Sequence, residues 1–532
     1  MAGFSDVFAS RHHELEALAA TAEPGRSLEE LFAAAERGGL STEDAASLLA
    51  WGRDPARRAE IEAAAREVRR RVAGTTVEFI IPVYLTSFCQ NDCLYCGYRK
   101  SNSLAERIRL SLDDFERQLD LILSWGHRQI ELVLSDDPEF GPPMLARYLQ
   151  LTRCKLEEVG GGVIAACAPV YEVADYALLR ESGLEWVVEW QETYHQPHFE
   201  RWHFPGSPKR FYESRLDLWD RTIAAGLPRI GLGVLLGLYD WRFDGLAVVE
   251  HGNYLRRTYQ LEPHAIGIPR LKPARGVLAS QKPSRFTVSD ADYRFLVSVY
   301  HLVFPRSRLF FNTRENYDFN LSMVAGGDLF TVDCETLPGG YLRTHPPGQF
   351  STHYYPSRWE VVRALVQSGL AYRYLAAETA PPAARGSVPV AAAADGWVEA
   401  FDQLRERLAD WEKALQGLRG NVPVERQEAA VVMRRELDYL KTVAIDHCRQ
   451  AENALAITAM ETAERKAQIS DLRLYHERFG VDLDRFERQV ASFALSGDPT
   501  VLLSVGSRIL REFRSHLKGE EELASALFAR AK

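Results

Sequence analysis

Three cysteines, Cys89, Cys93 and Cys96, lie close together in a chain that has seven cysteines among its 532 residues. Thiolates are soft ligands that favour soft metal ions and iron–sulfur clusters. A structural zinc site usually has a fourth ligand nearby, whereas three thiolates on a four-iron cluster leave one iron open to a ligand from outside the protein. The spacing C-x3-C-x2-C therefore predicts an iron–sulfur cluster that reacts with something, with a zinc site as the alternative.

The bulk composition excludes several classes of protein. The net charge of −9 argues against a general binder of nucleic acid or of a membrane surface, because neither attracts an acidic protein. No run approaches the roughly 18 apolar residues needed to span a bilayer, and the first residues lack the pattern of a signal peptide. Clustered cysteines in odd number do not form a disulfide framework. A cytoplasmic location is expected.

Short apolar runs alternate with helical periodicity between about residues 76 and 376. Such near-continuous runs are typical of strands that are buried on both faces. The eight predicted strands are 77–85, 129–134, 162–167, 186–190, 229–235, 265–268, 308–312 and 329–334. Eight strands, most of them followed by a helix, predict an α/β fold of the (β/α)8 TIM-barrel type, in which chemistry lies on the loops after the strands. The three cysteines follow the first strand.

The chain divides into four predicted segments. Residues 1–73 are predicted to be N-terminal helices, with Ser41 capping one of them. The barrel is predicted over 74–377, and an Ala/Pro-rich linker over 378–396. Residues 397–532 carry helical periodicity and almost no strand signal, which predicts a separate C-terminal all-α domain.

The cysteine spacing, with Tyr95 before the last cysteine, resembles the radical S-adenosylmethionine superfamily. From about residue 40 to 376 the chain resembles its aromatic amino-acid lyase branch, which contains the tyrosine lyases of the thiamine pathway (2-iminoacetate synthase) and of hydrogenase maturation, and the tryptophan lyase. Six stretches in the same order carry this resemblance: 82–85, 191–195, 231–240, 268–273, 312–315 and 338–341. The resemblance implies one 4Fe–4S cluster, held by the three cysteines, and S-adenosylmethionine on its open iron.

The resemblance also implies residues that bind the cofactor. Tyr95 would pack near the adenine. Asp136 stands where relatives carry the acid of a Gly-Gly-Glu-like element that binds the amino group, although the glycines are absent here. Glu192, Gln191 and Arg221 match positions that hold the ribose or the carboxylate. A helix cap is the alternative for Asp136, and an ion pair on its own helix is the alternative for Arg221.

Four further positions match substrate-binding residues of the relatives. Arg314, after the seventh strand, would grip the carboxylate of the amino acid. Thr331, in the eighth strand, would bind the same carboxylate, and Tyr84, in the first, would lie near the amine. His264 matches a histidine near the phenol in one relative, with a structural role as the alternative.

The function implied is that of a radical carbon–carbon lyase. It would cleave or rearrange a free aromatic L-amino acid, tyrosine or tryptophan, at Cα through a 5′-deoxyadenosyl radical. Cleavage of Cα–Cβ gives dehydroglycine plus p-cresol. Cleavage of the Cα–carboxylate bond with migration, as in tryptophan lyase and natural-product biosynthesis, is the alternative, and the sequence does not decide between them.

The expected partners are a small-molecule substrate and an electron donor such as flavodoxin or ferredoxin. A downstream enzyme could dock on the C-terminal helical domain. A metallocofactor maturation factor is a second class of function, but the relative of that type has a second cluster on C-terminal cysteines. After residue 334 this chain has only Cys448, so that interpretation is disfavoured.

Overall fold

The structure is a computed structural model in which part of the chain is described. The described residues are 3–342 without 125, 282 and 283; 348–350; 361, 364, 365 and 368–373; 405, 408–416, 432, 433, 437, 441, 483, 486, 487 and 490; and 503, 506, 507, 509–511, 513, 514 and 516–518. Two compact units are present, the first formed by Met1–Tyr355 and Leu365–Ala380, the second by Pro356–Ala364 and Pro381–Lys532. The predicted linker, 378–396, lies outside the described residues.

A closed barrel of eight parallel strands forms the centre of the first unit. The strands are β1 (Thr76–Thr86), β2 (Gln129–Leu134), β3 (Val163–Cys167), β4 (Trp186–Val188), β5 (Arg229–Gly233), β6 (Ala265–Gly267), β7 (Arg308–Phe311) and β8 (Leu329–Thr331). Each strand pairs with the next along the chain, and β1 pairs with both β2 and β8, which closes the barrel. The predicted (β/α)8 fold is therefore confirmed.

A ninth strand was not predicted from the sequence. This strand, β9 (Ala371–Arg373), pairs in parallel with the start of β1 and lies outside the closed barrel. Its residues are exposed or half-buried, so it lacks the apolar run that marked the other eight.

Helices surround the barrel and connect its strands. They are α5 (Leu112–Ser124), α6 (Pro142–Glu158), α7 (Val173–Glu181), α8 (Gln196–Trp202), α9 (Tyr212–Leu216), α10 (Leu218–Ala224), α11 (Trp241–Tyr259), α12 (Leu278–Gln281), α13 (Asp290–Val303) and α14 (Tyr317–Leu321). Two short 3-10 turns, Pro208–Arg210 and Gly340–Leu342, lie in loops. These helices place polar residues outside and leave apolar faces against the strands.

Four helices precede the barrel: α1 (Phe4–Thr21), α2 (Leu28–Arg37), α3 (Thr42–Trp51) and α4 (Pro55–Ala73). As predicted, Ser41 caps α3, in a capping box with Asp44. Near the end of α4, the fully buried Arg69 forms an ion pair of 3.0 Å with Asp328 and donates to three backbone carbonyls of the segments before β7 and β8. This contact ties the N-terminal helices to the barrel.

An apolar cluster fills the barrel below the ends of its strands. Its members come from most of the strands: Ile80, Val163, Ala165, Trp186, Val188, Ala265, Phe310 and Leu329. This layer fills the interior, so the barrel is a packed core at this level.

The second unit is described only at scattered positions, and all of these are helical. Trp411 stacks on Phe486 at 4.9 Å. The separate all-α domain at 397–532 stays a prediction. Among the described residues, no helix is both long and apolar enough to cross a membrane.

Candidate active site

The loop after β1 carries the three clustered cysteines. Cys89, Cys93 and Cys96 are free thiols, Cys93 is buried, and the other two are half-buried. Burial, above all, raises the pKa of Cys89 to about 11 and raises the pKa of Cys93 further. Three such thiols facing one cavity have the donor chemistry that a four-iron cluster requires.

Three backbone hydrogen bonds fix this loop against three other segments of the chain. They run from Gln90 N–H to the Asp136 carbonyl, from Leu94 N–H to the Trp202 carbonyl, and from Gly97 N–H to the Gln349 carbonyl. A Cβ atom at Gly97 would lie 2.1 Å from that Gln349 oxygen, so only glycine permits the approach. The loop is thus positioned before any cofactor binds.

The cysteines line a cavity of about 420 Å³ at the C-terminal ends of the barrel strands. Two more cysteines also line it: Cys167, which ends β3, and Cys334, which follows β8. This is the end of the barrel at which the fold places reactive groups. The volume lies within the range of small-molecule sites.

The Asp136 carboxylate faces the cysteine loop. It accepts hydrogen bonds from the side-chain amides of Gln90 and Asn91, each at 2.9 Å. The neighbouring Asp137 instead pairs with Arg109, which donates to both of its oxygens. Asp136 lines the cavity as an acceptor that the loop itself positions.

Two carboxylates and two cations form a cluster beyond the end of β4. Lys209 Nζ donates to Glu192 at 2.6 Å and lies 3.9 Å from Glu189, while Arg215 donates to Glu189 at 2.6 Å. Although burial alone raises the pKa of Glu192, the Lys209 and Arg215 charges bring it below its ordinary value. Glu192 also has a backbone φ of 73°, a costly conformation for a residue other than glycine.

Tyr95 lines the cavity beside this cluster. Its hydroxyl lies 2.8 Å from His203 Nε2, and His203 Nδ1 lies 2.7 Å from the Phe199 carbonyl. Because the carbonyl can only accept, Nδ1 carries the proton and Nε2 accepts from the tyrosine. Burial lowers the pKa of His203 to about 3, so the imidazole is neutral.

The opposite wall joins β1 to the loops that follow β7 and β8. The Tyr84 hydroxyl donates to the Gln349 side chain at 3.1 Å, and the Gln349 amide donates to Cys96 Sγ at 3.3 Å. The Arg314 guanidinium stacks 3.7 Å from the centre of the Phe350 ring. Arg314 has no carboxylate within ion-pair distance in the described part of the chain.

Thr331 and Glu131 are polar residues of the cavity whose side chains have no hydrogen-bond partner among the described residues. Thr331 on β8 has a buried hydroxyl oxygen without a partner. Glu131 on β2 is only 6% exposed, and burial, with a contribution from the Glu189 charge, raises its pKa to about 8. Both line the cavity, where a bound molecule would reach them.

The comparisons with known proteins agree with this geometry. No protein-family model matches the chain. The chain is 33% identical over 313 residues to 2-iminoacetate synthase of Escherichia coli (strain K12), covering 58% of this chain and 79% of that enzyme. The Salmonella typhimurium enzyme of the same name is 31% identical over 310 residues, with the same coverage. The chain belongs to the 2-iminoacetate synthase branch of the radical S-adenosylmethionine superfamily.

A solved structure of HydG, a maturase of the FeFe-hydrogenase, is similar to this radical S-adenosylmethionine enzyme in fold. The TM-score is 0.65 at 24% identity, over 90% of this chain and 97% of HydG. Methylornithine synthase (PylB) gives a TM-score of 0.53 at 19% identity. At these identities the likeness concerns the fold alone. Membership of the superfamily implies a four-iron cluster and S-adenosylmethionine, and the three free thiols fit such a cluster.

Most of the predicted site residues of this radical S-adenosylmethionine enzyme line one cavity, although their roles stay predictions. Those brought together are Tyr84, Cys89, Cys93, Tyr95, Cys96, Asp136, Glu192, Arg314 and Thr331. They come from β1, β8 and the loops after β1, β2, β4 and β7, so the closed barrel is what gathers them.

His264 is not among the residues that line this cavity, and its contact with the substrate stays a prediction. It directly precedes β6, so it lies at the N-terminal end of the strands, away from the cavity. There its ring lies 3.3 Å from Arg308 at the start of β7, and burial lowers its pKa well below the ordinary value.

Gln191 and Arg221 do not line the cavity either. The Gln191 backbone donates to the Gly233 carbonyl, and its buried side-chain Nε2 has no partner among the described residues. Arg221 on α10 donates to the carbonyls of Tyr171 and Ser214, which line the cavity themselves. Arg221 therefore contacts two segments of the cavity wall, and its role in binding the cofactor stays a prediction.

The cavity residues that were not predicted include Glu131, Lys209, Arg215 and Gln349. Glu131 could have been found, because it is an acid within an apolar strand that is buried on both faces. Nothing in the sequence marks Gln349, which lies 265 positions from the tyrosine that it contacts.

Proposed function

We propose that this protein is a radical carbon–carbon lyase that cleaves or rearranges a free aromatic L-amino acid, tyrosine or tryptophan, at Cα. The observation that carries the proposal is the Arg314 guanidinium. It lines the same cavity as the three cysteines, and no carboxylate among the described residues neutralises it.

A cation in a partly apolar cavity favours an anionic ligand. Arg314 is half-buried, and one face of its guanidinium is covered by Phe350. Desolvating a charge without a partner is costly. The planar fork of arginine matches a carboxylate with two parallel hydrogen bonds, and the unpartnered hydroxyl of Thr331 adds a donor in the same cavity.

The three cysteines would hold the cluster, and its open iron would bind S-adenosylmethionine. When bound, this pair supplies a 5′-deoxyadenosyl radical. Asp136 and Glu192 would accept hydrogen bonds from the amino group and the ribose, and Tyr95 would pack against the adenine. Gln90 and Asn91 hold Asp136 in place, and Lys209 holds Glu192.

Tyr84 would orient the amine of the substrate, from which hydrogen is removed. Its link through Gln349 to Cys96 couples the substrate wall to the cluster loop. For tyrosine, the resulting homolytic fragmentation of Cα–Cβ would give dehydroglycine and a 4-hydroxybenzyl radical, which becomes p-cresol when it takes up one electron, supplied by the flavodoxin or ferredoxin donor, and one proton. Fragmentation at the carboxylate with migration, of the tryptophan-lyase type, is the alternative. Closure of the barrel floor by apolar residues keeps water from reactive species.

The test is anaerobic incubation of the reconstituted protein with each aromatic L-amino acid, with the products identified by mass spectrometry. The expected result is 5′-deoxyadenosine together with dehydroglycine (or its hydrolysis product) and an arylmethyl compound. If no aromatic amino acid supports deoxyadenosine formation, the substrate assignment is wrong.

Arg314→Ala tests the carboxylate clamp. Losing a bidentate, charge-assisted contact of about 3 kcal/mol should raise KM by about 100-fold. Iron content should stay at about four per chain, because Arg314 does not touch the cysteines. Arg306→Ala is the control, since Arg306 is exposed and precedes β7. Loss of the cluster in the Arg314 variant would contradict its role.

Iron content also distinguishes this lyase from a maturation factor with a second cluster. About four irons per chain fits the lyase, whereas about eight would favour the maturation factor.

The partners and domains form a further part of the proposal. A flavodoxin or ferredoxin would supply the electron, in the cytoplasm, and the helical segment at 397–532, joined by the linker at 378–396, would dock a downstream enzyme. Deleting 397–532 should spare deoxyadenosine formation and reduce product transfer. Loss of deoxyadenosine formation would instead mean that this segment supports the barrel.

A further inference from the structure

The floor of the cavity contains a carboxyl group that the proposed mechanism does not use. In the strand register, Glu131 on β2 lies between Pro82 on β1 and Ala165 on β3. Pro82 lines the cavity and Ala165 belongs to the apolar cluster below it. Partners in register point to the same face of a sheet. The Glu131 side chain therefore points into the barrel, at the boundary between cavity and core.

The Glu131 carboxyl group has no hydrogen-bond partner among the described residues, although the residue is only 6% exposed. Its acidic neighbour Glu189 already accepts from Arg215 and from the Cys167 thiol. Since burial raises the pKa of Glu131 to about 8, the group is a neutral carboxylic acid at pH 7. In that form it offers one O–H donor and one carbonyl acceptor. A buried polar group left unpaired is costly, so a ligand group should satisfy it.

Aromatic side chains form the rest of this floor. Trp190 and Phe310 both line the cavity, with ring centres 6.0 Å apart. A Cβ atom at Gly267 on β6 would lie 2.3 Å from the Trp190 ring, so the absence of a side chain at this position leaves room for the indole. Two aromatic rings, tilted by 59° to each other, therefore form part of this floor.

Tyr84 lines the same cavity as Arg314 and Glu131. Burial is the main cause that raises the pKa of Tyr84, but the Arg314 charge lowers it and the Glu131 charge raises it. Tyr84 is therefore within electrostatic range of both groups. An amino acid held at Arg314 by its carboxylate and at Tyr84 by its amine can direct its ring towards Glu131.

We propose that Glu131, Trp190 and Phe310 form a subsite for the ring of the substrate, in which Glu131 exchanges hydrogen bonds with a ring hydroxyl. The chain then takes a phenolic amino acid in preference to an indole or an unsubstituted ring. This inference rests on the proposed function and selects between its two candidate substrates.

The selection follows from matching donors and acceptors. A phenol hydroxyl both donates and accepts, as a carboxylic acid does, so both groups are satisfied together. An indole N–H only donates, which leaves the acid O–H without an acceptor. A phenyl ring leaves the whole acid unpaired. Sites that are organised to bind a substrate hydroxyl reject the analogue that lacks it, because buried polar groups stay unsatisfied.

Binding of ring fragments tests the subsite without turnover. The full-length reconstituted protein is titrated with p-cresol, 3-methylindole and toluene by calorimetry. The preference for p-cresol over toluene should fall by about 10-fold or more in Glu131→Leu, the loss expected for one buried hydrogen-bonding group. Glu131→Gln should keep part of it. Where the leucine variant fails to fold, Glu131→Met removes the acid with a chain of similar length.

Val133→Ala is the matched control. Val133 lies on the same strand and lines the same cavity, so this variant changes the space but not the polarity. It should change p-cresol and toluene binding by similar factors. An equal loss of preference in both variants would overturn the role of Glu131.

Turnover separates this inference from the proposed function. Deoxyadenosine formation with tyrosine, tryptophan and phenylalanine should favour tyrosine, and Glu131→Leu should shift the ratio towards phenylalanine. If the protein turns over an aromatic amino acid but the ratio and the fragment preference do not change, the subsite is wrong and the lyase stands. If no amino acid turns over but the fragment preference collapses in Glu131→Leu, the subsite stands and the lyase is wrong. If neither changes, both are wrong.

Discussion

Among the described residues, Lys209 is the one cation within ion-pair distance of the Glu192 carboxylate. The substitution Lys209→Met removes this cation. Lys209 Nζ lies 2.6 Å from Glu192 Oε1, and the side chains of Lys209 and Glu192 are 20% and 9% exposed. Removing one partner of a buried pair costs about 3–5 kcal/mol, because the other charge stays desolvated. For a unit of this size the entropy of unfolding is on the order of 0.8 kcal/mol/K. The melting temperature of the protein without cofactors should therefore fall by about 4–6 °C at pH 7.

The loss of stability in Lys209→Met should depend on pH in a defined direction. In the wild type the pKa of Glu192 is held below its ordinary value of 4.5. Its pairing therefore stabilises the fold above about pH 4.5, and this contribution disappears as the pH falls through the lowered pKa. In the variant, Glu192 becomes protonated more readily. The difference in melting temperature between wild type and variant should be largest at pH 7 and should shrink towards pH 4.

Lys272→Met is the matched control. Lys272 also pairs with a buried glutamate, Glu315, at 3.1 Å, but Arg270 donates to both oxygens of the same carboxylate. Glu315 therefore stays paired, and the loss should be below about 1 kcal/mol. Differential scanning calorimetry of both variants at pH 7 and pH 4 measures the two losses of stability. Equal losses, or a Lys209 effect that does not vary with pH, would refute the reasoning.

Three more predictions concern the fold and the cluster. Arg69→Met should destabilise the protein by about 3–5 kcal/mol in urea unfolding, because it removes the guanidinium that pairs with the buried Asp328 carboxylate and takes a donor from each of three backbone carbonyls. Arg57→Met, in an exposed pair, should change stability by less than about 0.5 kcal/mol, and similar effects of the two variants would contradict this. The pKa of Glu131 is raised from its ordinary value of 4.5 to about 8, so the free energy of unfolding of the wild type should fall by on the order of 4 kcal/mol as the pH rises across this range. The variant Glu131→Gln should not show this fall, and parallel pH curves of the two proteins would refute the reasoning. Cys93→Ala should lose the iron that the wild type binds, whereas Cys167→Ala, in the same cavity but on β3, should keep it, as measured by iron content and visible absorption.

The sequence was sufficient for the strands and for the cysteine loop. Each barrel strand is buried on both faces, so it appears as a short apolar run that local composition reveals. The strand predicted at 129–134 has the same bounds as β2, and that predicted at 265–268 exceeds β6 by one residue. β9 was missed because an edge strand outside the barrel needs no apolar run.

A site residue could be predicted only where its position relative to a strand decides whether it lines the cavity. Residues within or just after a strand, such as Tyr84 and Arg314, reach the cavity. His264 precedes its strand and does not line the cavity. Arg215 lines the cavity and was not predicted, whereas Arg221 was predicted and does not line it; the rotation of two short helices, α9 and α10, cannot be read from sequence spacing alone.

The sequence by itself determined which groups are available: three thiols in one short loop, an arginine after the seventh strand and an acid in the second. Their types and local spacing suffice because a cluster loop is a contiguous segment and a barrel strand is a local pattern. Only the tertiary structure decided which charges remain without partners. Lys209 reaches Glu192, and Gln349 reaches Tyr84 from 265 positions away, while Arg314 and Glu131 have no such partner among the described residues. Pairing depends on distance in space, and closure of the barrel sets that distance.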